Sequence, residues 1–278
     1  MSQSAAIPQA ASGLSALEVA RRCAREAGEH ALTKFRQPQD VAVKGRGNLV
    51  TETDFELETY ITKTLRREFP HHKVLSEETA TETDTAGWVW VVDPLDGTKN
   101  FVSGIPFFCI NIALCHDATP VVAVTHDPNH SETFAAARGQ GAWVNDRPAR
   151  VSDKATVEQS VLGIDLGYDD ERGKATLHLA HELFPGMQSL RIPGSAALGL
   201  AYAACSRYDL FLHNMLFPWD IAAGILLVQE AGGTITERDG HPVAIASTTA
   251  LAGGRAVHDD FLRWQREHSD RLDPLSEA

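Results

Sequence analysis

Residues Trp88-Val89-Trp90-Val91-Val92-Asp93-Pro94-Leu95-Asp96-Gly97-Thr98 join an apolar run to a turn that carries two carboxylates. The five apolar residues in succession predict a buried strand. Pro94 and Gly97 then punctuate its end. Asp93 and Asp96 stand three residues apart there, where they can converge on one point. Oxygen ligands of this kind suit a hard cation such as magnesium. Gly97 lets the backbone approach an anion closely, and the following N–H groups can donate to phosphate oxygens. On these residues alone the competing reading is a surface β-turn, with Asp and Gly as turn formers.

On the N-terminal side the chain reads as helical. Ser15-Ala16-Leu17-Glu18 has capping-box spacing, with Leu14 and Val19 as a hydrophobic staple. Leu17, Ala20, Ala24, Ala27, Ala31 and Phe35 follow at helical spacing until Pro38. Lys44 to Asn48 reads as a flexible turn. Asp54 precedes a second amphipathic helix with Leu57, Tyr60, Ile61, Leu65 and Phe69 on one side, and Pro70 ends it. On the C-terminal side, Cys109 to Leu114, Val121 to Thr125 and Glu132 to Ala136 predict strands, and Asn145-Asp146 a hairpin turn after Ala142 to Val144. From about Val151 the elements alternate. A strand is expected at Val161 to Ile164 and helices near Ala175 to Leu183 and Ala196 to Cys205. A strand at Tyr208 to Leu212 and a helix at Ile221 to Gln229 follow. Helices, then a strand-rich middle, then a mixed segment make a layered α/β pattern. Residues 1–13 are expected to form a disordered tail. Residues 14–150 are expected to form an α+β half and residues 151–278 an α/β half of one compact unit.

The 278 residues are 43% hydrophobic and 22% charged, an ordinary globular composition. No apolar run approaches the roughly 20 residues of a membrane span. The N-terminus lacks the basic start and apolar core of a secretory signal. A formal charge of −12 argues against a nucleic-acid polymer as partner, because phosphate-backbone binding needs clustered Lys and Arg. Cys23, Cys109, Cys115 and Cys205 form no C-x-x-C pair, and Cys109 and Cys115 read as small buried hydrophobes. A reducing, cytoplasmic setting is expected. His71, His72, His126 and His130 lack zinc spacing and read as surface residues.

Three further acidic elements accompany the Asp93 turn. Ser76-Glu77-Glu78 follows the short strand Val74-Leu75, and its adjacent carboxylates call for a cation to relieve their repulsion. Trp219-Asp220 precedes a helical run from Ile221 to Glu230 that stops at Gly232-Gly233. Asp220 and Asp54 are each explained equally well as helix N-caps.

The order of these elements is more specific than any one of them. Asp54, Ser-Glu-Glu, Asp-Pro-Leu-Asp-Gly-Thr-Lys-Asn-Phe, Trp-Asp-Ile-Ala-Ala-Gly and Glu-Ala-Gly-Gly together resemble the inositol monophosphatase family of magnesium-dependent, lithium-sensitive phosphatases. The resemblance runs from about Leu14 to Ala256. It implies an alternating α/β/α/β/α sandwich, a homodimer and a small phosphate monoester as substrate. It implies that Glu77, Asp93 and the Leu95 carbonyl hold one magnesium ion and that Asp93, Asp96 and Asp220 hold a second. A weaker third ion would lie near Glu77. Asp54 and Thr98 would orient the attacking water, and the N–H groups of Gly97 and Thr98 would bind phosphate. Lys44 stands near the position of a family lysine.

Substrate choice is expected in Arg191-Ile-Pro-Gly194-Ser195-Ala196, which resembles the family's substrate-side loop, and at position 213. Inositol-directed members usually carry an acid seven positions before the metal-binding Asp; this chain has His213. Inositol-1-phosphate or a related polyol or sugar phosphate is the leading substrate. Histidinol phosphate, fructose-1,6-bisphosphate, NADP and 3′-phosphoadenosine nucleotides are the rivals, and a non-catalytic binding protein of the same fold is the remote one.

Overall fold

A computed structural model of the chain describes residues 6–45, 47–80 and 84–272. The first helix, α1 (Ala16–Lys34), begins as its sequence predicts. The Ser15 hydroxyl accepts from the Glu18 N–H at 3.2 Å and the Glu18 carboxylate accepts from the Ser15 N–H at 2.8 Å. A hairpin follows, β1 (Val41–Gly45) against β2 (Asn48–Thr51). Of the stretch read as a flexible turn, Lys44 and Gly45 belong to β1 and Asn48 to β2, and Arg46 lies outside the described residues. All five β1 residues are exposed, so no apolar alternation marks the strand.

Helix α2 (Glu52–Glu68) starts two residues ahead of Asp54. Thr51 is the N-cap, and its N–H donates to Asp54 Oδ2 at 2.9 Å, which puts Asp54 inside the first turn rather than at the cap. Tyr60, expected on the packed side, is 37% exposed. Residues 6–13, expected as a disordered tail, lie against the end of this helix. Ala10 is buried, and the Ala11 and Ser12 N–H groups donate to the Glu68 carbonyl (2.8 Å) and carboxylate (3.2 Å).

A seven-stranded sheet is built in chain order from β3 (Lys73–Ser76), β4 (Trp88–Asp96), β5 (Cys109–His116), β6 (Thr119–Asp127), β7 (Glu132–Ala137), β8 (Ala142–Val144) and β9 (Arg147–Pro148). The short helix α3 (Thr98–Val102) follows β4. Strands β3 and β4 run parallel and the other neighbours antiparallel. The β4–β5 register shifts between Asp93 and Asp96, where Pro94 has no N–H for the ladder. That irregularity lies at the site described below.

The second half supplies β10 (Val161–Asp165), α4 (Asp170–Leu183), β11 (Ser189–Arg191), α5 (Ala196–Ala204), β12 (Leu210–His213), α6 (Pro218–Glu230), β13 (Thr234–Thr236), β14 (Ala250–Gly253), α7 (Arg255–Glu267) and α8 (Ser269–Leu272). Its sheet has the order β11-β10-β12-β14-β13, with β11, β10 and β12 parallel and the β14 pairings antiparallel. Asp220 is the third residue of α6 rather than its cap; it accepts from the Phe217 N–H at 2.7 Å.

Helices α1 and α2 cover one face of the large sheet. Helices α5 and α6 pack between the two sheets, and α4 and α7 cover the far face of the second sheet. The result is the expected α/β/α/β/α sandwich. The central layer is tight: a Cβ added at Gly224 of α6 would lie 2.4 Å from Leu200 of α5. His126, expected at the surface, is buried against Gly28 of α1, with Nδ1 3.0 Å from Thr133 Oγ1. Cys109 and Cys115 are buried as expected, and all four cysteines are free thiols. Among the described residues no helix is long and apolar enough to cross a membrane.

Candidate active site

The ends of β4, β10 and β12 and the starts of α3 and α6 open onto one narrow cavity of about 80 Å³. Three carboxylates meet in it. Oxygen atoms of Asp93, Asp96 and Asp220 all lie within 4.8 Å of one another. Asp93 and Asp96 are buried. Burial, with Glu77, Asp96 and Asp220 close by, holds the Asp93 carboxyl well above its usual pKa. Burial and then Asp96 do the same to Asp220.

Each acid is held by its local fold. Asp93 Oδ1 accepts from the Leu95 N–H at 3.0 Å. Asp96 Oδ2 accepts from the Ser195 hydroxyl and from the Ala197 N–H at 3.0 Å, and Oδ1 from the Ala196 N–H at 3.3 Å. Asp96 thereby satisfies the N–H groups that open α5, and the second half of the chain is tied to the turn of the first. Glu77 lines the same cavity outside the triad of acids. Lys44 Nζ stands 3.2 Å from Glu77 and 2.6 Å from Glu78.

Asp54 is almost wholly buried, and burial raises its pKa. Its Oδ1 lies 3.1 Å from Thr98 Oγ1, which lies equally 3.1 Å from the Leu95 carbonyl. Gly97 precedes α3 with φ 92°, and a Cβ there would come within 3.1 Å of the Phe107 carbonyl. Only glycine fits that approach.

Of the remaining expected residues, Leu95, Gly97, Thr98, Gly194, Ala196 and His213 line the cavity. Two do not. Ser195 is buried with its hydroxyl committed to Asp96. Arg191 is exposed, and its guanidinium bonds Ser189 Oγ and the Leu190 carbonyl. Sequence reading missed Asp165, Tyr168 and Lys99, which also line the cavity; Lys99 Nζ lies 4.6 Å from the Tyr168 ring centroid. Asp165 carried a signal, an acid directly after the apolar run Val161 to Ile164, just as Asp93 follows Val92.

The donor set fits a hard divalent cation. It consists of oxygen atoms only, and the acids repel one another until positive charge is supplied. A sequence model described as the inositol monophosphatase family matches residues 15–270. The chain belongs to this family. It is 37% identical over 253 residues to inositol monophosphatase 1 of Solanum lycopersicum, covering 88% of this chain and 93% of that protein. It is 36% identical to the Nus factor SuhB of Escherichia coli, covering 92% and 98%. Its fold superposes on the IMPase of Thermotoga maritima with a TM-score of 0.83 at 32% identity, covering 92% and 98%.

Proposed function

We propose that the protein hydrolyses a small phosphate monoester, with inositol-1-phosphate or a related polyol phosphate as the leading substrate, in a magnesium-dependent reaction. The observation that carries the reading is the meeting of Asp93, Asp96 and Asp220 within 4.8 Å beside the Asp54–Thr98 pair. Glu77, Asp93, Asp96, Asp220 and the Leu95 carbonyl would hold two magnesium ions, with a weaker third near Glu77. The chemistry magnesium supplies when bound is neutralisation of phosphate oxygens and a lower pKa for its water.

The chain's own groups do the rest. Thr98 Oγ1 has one proton and two acceptors in reach, Asp54 Oδ1 and the Leu95 carbonyl. With the proton directed to Asp54, the Thr98 lone pairs accept from the attacking water and orient it. Burial makes the Asp54 carboxylate a better base than an exposed one, so it can take up the proton that Thr98 passes on. The amides of Gly97 and Thr98 receive phosphate oxygens, and Gly194 and His213 face the leaving alcohol.

Lithium sensitivity belongs to the same reading. Pairing of two copies does too, with the exposed apolar side chains of Ile105 and Ile192 as available surface. A reducing, cytoplasmic setting is supported by the four free thiols. A binding role without catalysis is the second reading, favoured by the name of the Escherichia coli relative; the complete set of acids speaks against it.

The test is phosphate release with magnesium or with chelator from inositol-1-phosphate, histidinol phosphate, fructose-1,6-bisphosphate, NADP and 3′-phosphoadenosine nucleotides. Turnover of inositol-1-phosphate that chelation abolishes is expected. No release from any ester with magnesium present would sink the proposal.

A further inference from the structure

A second cavity, of about 850 Å³, lies between α2 and β3, the edge strand of the large sheet. It shares no lining residue with the cavity that holds Asp93. Glu58, one turn after Asp54 on α2, lines it and is only 3% exposed. Glu58 Oε1 accepts from the Thr79 hydroxyl. Its Oε2 is buried without a hydrogen-bond partner, and the carboxylate makes no ion pair among the described residues. A buried carboxylate oxygen in that state is costly, so its occurrence at a cavity wall calls for a cationic donor arriving from the cavity.

The rest of the wall supplies opposite charge and apolar surface. Lys63 and Arg66 of the same helix line the cavity; both are exposed and make no ion pair among the described residues. Lys73, by contrast, is spent on Asp84 at 2.6 Å and on the Ala86 carbonyl at 3.0 Å. Arg66 follows Glu58 by roughly 12 Å of helix rise, a span shortened by the lean of helical side chains toward the N-terminus. Phe55, Val74 and Leu75 add apolar wall. One molecule answers all three features: a primary ammonium for Glu58, an acid group for Lys63 and Arg66, and a short hydrocarbon chain between them. A hydroxyl in place of the ammonium would donate to Glu58 but leave its charge unmatched.

We infer that the α2–β3 cavity is a second small-molecule site, which takes a molecule carrying a primary ammonium and an acid group several bonds apart, such as an ω-amino acid. Its position ties it to the catalytic cavity. Thr79, which Glu58 holds, stands two residues after Glu77, and Ser76 at the end of β3 stands directly before Glu77. A ligand on Glu58 therefore pins the segment that carries Glu77, and the active site is reached from behind. Neither the binding nor its effect on that segment requires turnover of any ester.

Calorimetric titration of the full-length protein with 4-aminobutyrate, butylamine, butyrate and 4-hydroxybutyrate tests it. 4-Aminobutyrate is expected to bind at least about tenfold more tightly than each of the others, since each lacks one of the two charged contacts. Glu58→Gln keeps an acceptor for Thr79 and loses the charge. The double variant Lys63→Ala, Arg66→Ala changes exposed positions only. Each is expected to weaken 4-aminobutyrate by about tenfold or more. Bound 4-aminobutyrate is also expected to slow hydrogen exchange at the amides of residues 77–79. No saturable heat from 4-aminobutyrate with the wild-type protein overturns the inference, as does equal affinity for 4-hydroxybutyrate. So does unchanged affinity in the double variant, whose fold does not depend on the buried Glu58. Binding that leaves exchange at residues 77–79 unchanged overturns the tie to the active site. A protein that binds 4-aminobutyrate but releases phosphate from no ester overturns the phosphatase reading alone.

Discussion

Thr98 Oγ1 and Asp54 Oδ1 lie 3.1 Å apart although 44 residues separate them in the chain. One comes from the start of α3 beyond the acidic turn, the other from the first turn of α2. The packing of α2 against β4 brings them together. Asp54 is held from its other side as well, because Oδ2 accepts from the Thr51 N–H at 2.9 Å. One carboxylate thus serves the fold with one oxygen and the cavity-lining Thr98 with the other.

Thr98→Ala removes the hydroxyl that bonds Asp54. Its kcat is expected to fall about 10²–10³-fold with KM changed little, as when a positioned proton-transfer group is removed. Asp54→Asn keeps an acceptor for the Thr51 N–H and loses the base, so activity falls to a similar degree while the fold stays close to wild type. Asp54→Ala loses the capping acceptor too and costs about 1 kcal/mol of stability. Initial rates and calorimetry on the three variants separate these effects; full activity in Thr98→Ala would discard the pair as a water-orienting unit.

Asp93→Asn is expected to lower activity by about 10³-fold, the scale of losing a preorganised charge. The metal-free protein behaves the other way. Asp93 has a folded pKa well above its unfolded value, so its contribution to stability is full at low pH and is lost as pH rises through the folded value. In chelator, Asp93→Asn should melt a few degrees above wild type at pH 8, and the difference should vanish near pH 4. A metal-free variant less stable than wild type at pH 8 would contradict the repulsion among these acids.

Glu78 tests the same linkage at a second position. Burial pushes its carboxyl up to about 7, with the Glu77 charge adding and Lys44 opposing. Its contribution to metal-free stability is present below the unfolded value and lost as pH rises through about 7. Between pH 5 and 8 the melting temperature of metal-free Glu78→Gln should therefore fall less than that of wild type. Parallel melting curves for the two proteins across that range would rule out the shift.

Ser195→Ala removes the hydroxyl donor to Asp96 while leaving the Ala197 N–H in place. Outer partners of metal ligands are worth about 10–100-fold in metal affinity. The magnesium concentration for half-maximal activity is expected to rise by that factor, with saturating magnesium restoring most of the rate. An unchanged magnesium requirement would mean that the backbone donors alone orient Asp96.

Much of this was legible before any tertiary structure. The capping box of Ser15 and Glu18, the strand ending at Asp93 and the strands from Cys109 to Ala137 depend on neighbours within a few residues, and local patterns report such neighbours well. The β1–β2 hairpin was not legible because its exposed strand has no buried face. Strands β11, β13 and β14 and helices α7 and α8 were missed as well. The three strands span only three or four residues each, too few for a period to show. Asp54 and Asp220 read as caps because sequence places an acid near a helix start but does not say which turn residue begins the helix. Both are the third residue of their helix, inside its first turn.

By itself the sequence determined the acidic elements, their order and the layered α/β class, since residue type and short-range spacing suffice for those. Only the tertiary structure decided where each polar atom is spent. Ser195 and Ala196 stand in the loop expected to meet substrate, yet their donors hold Asp96, and Arg191 of the same loop bonds its own strand. Where His213 replaces an expected acid, a carboxylate arrives instead from the neighbouring strand, at Asp165. The physical reason is register. A hydrogen bond forms or fails within a few tenths of an ångström, and strand pairing and helix packing set that distance between residues far apart in the chain.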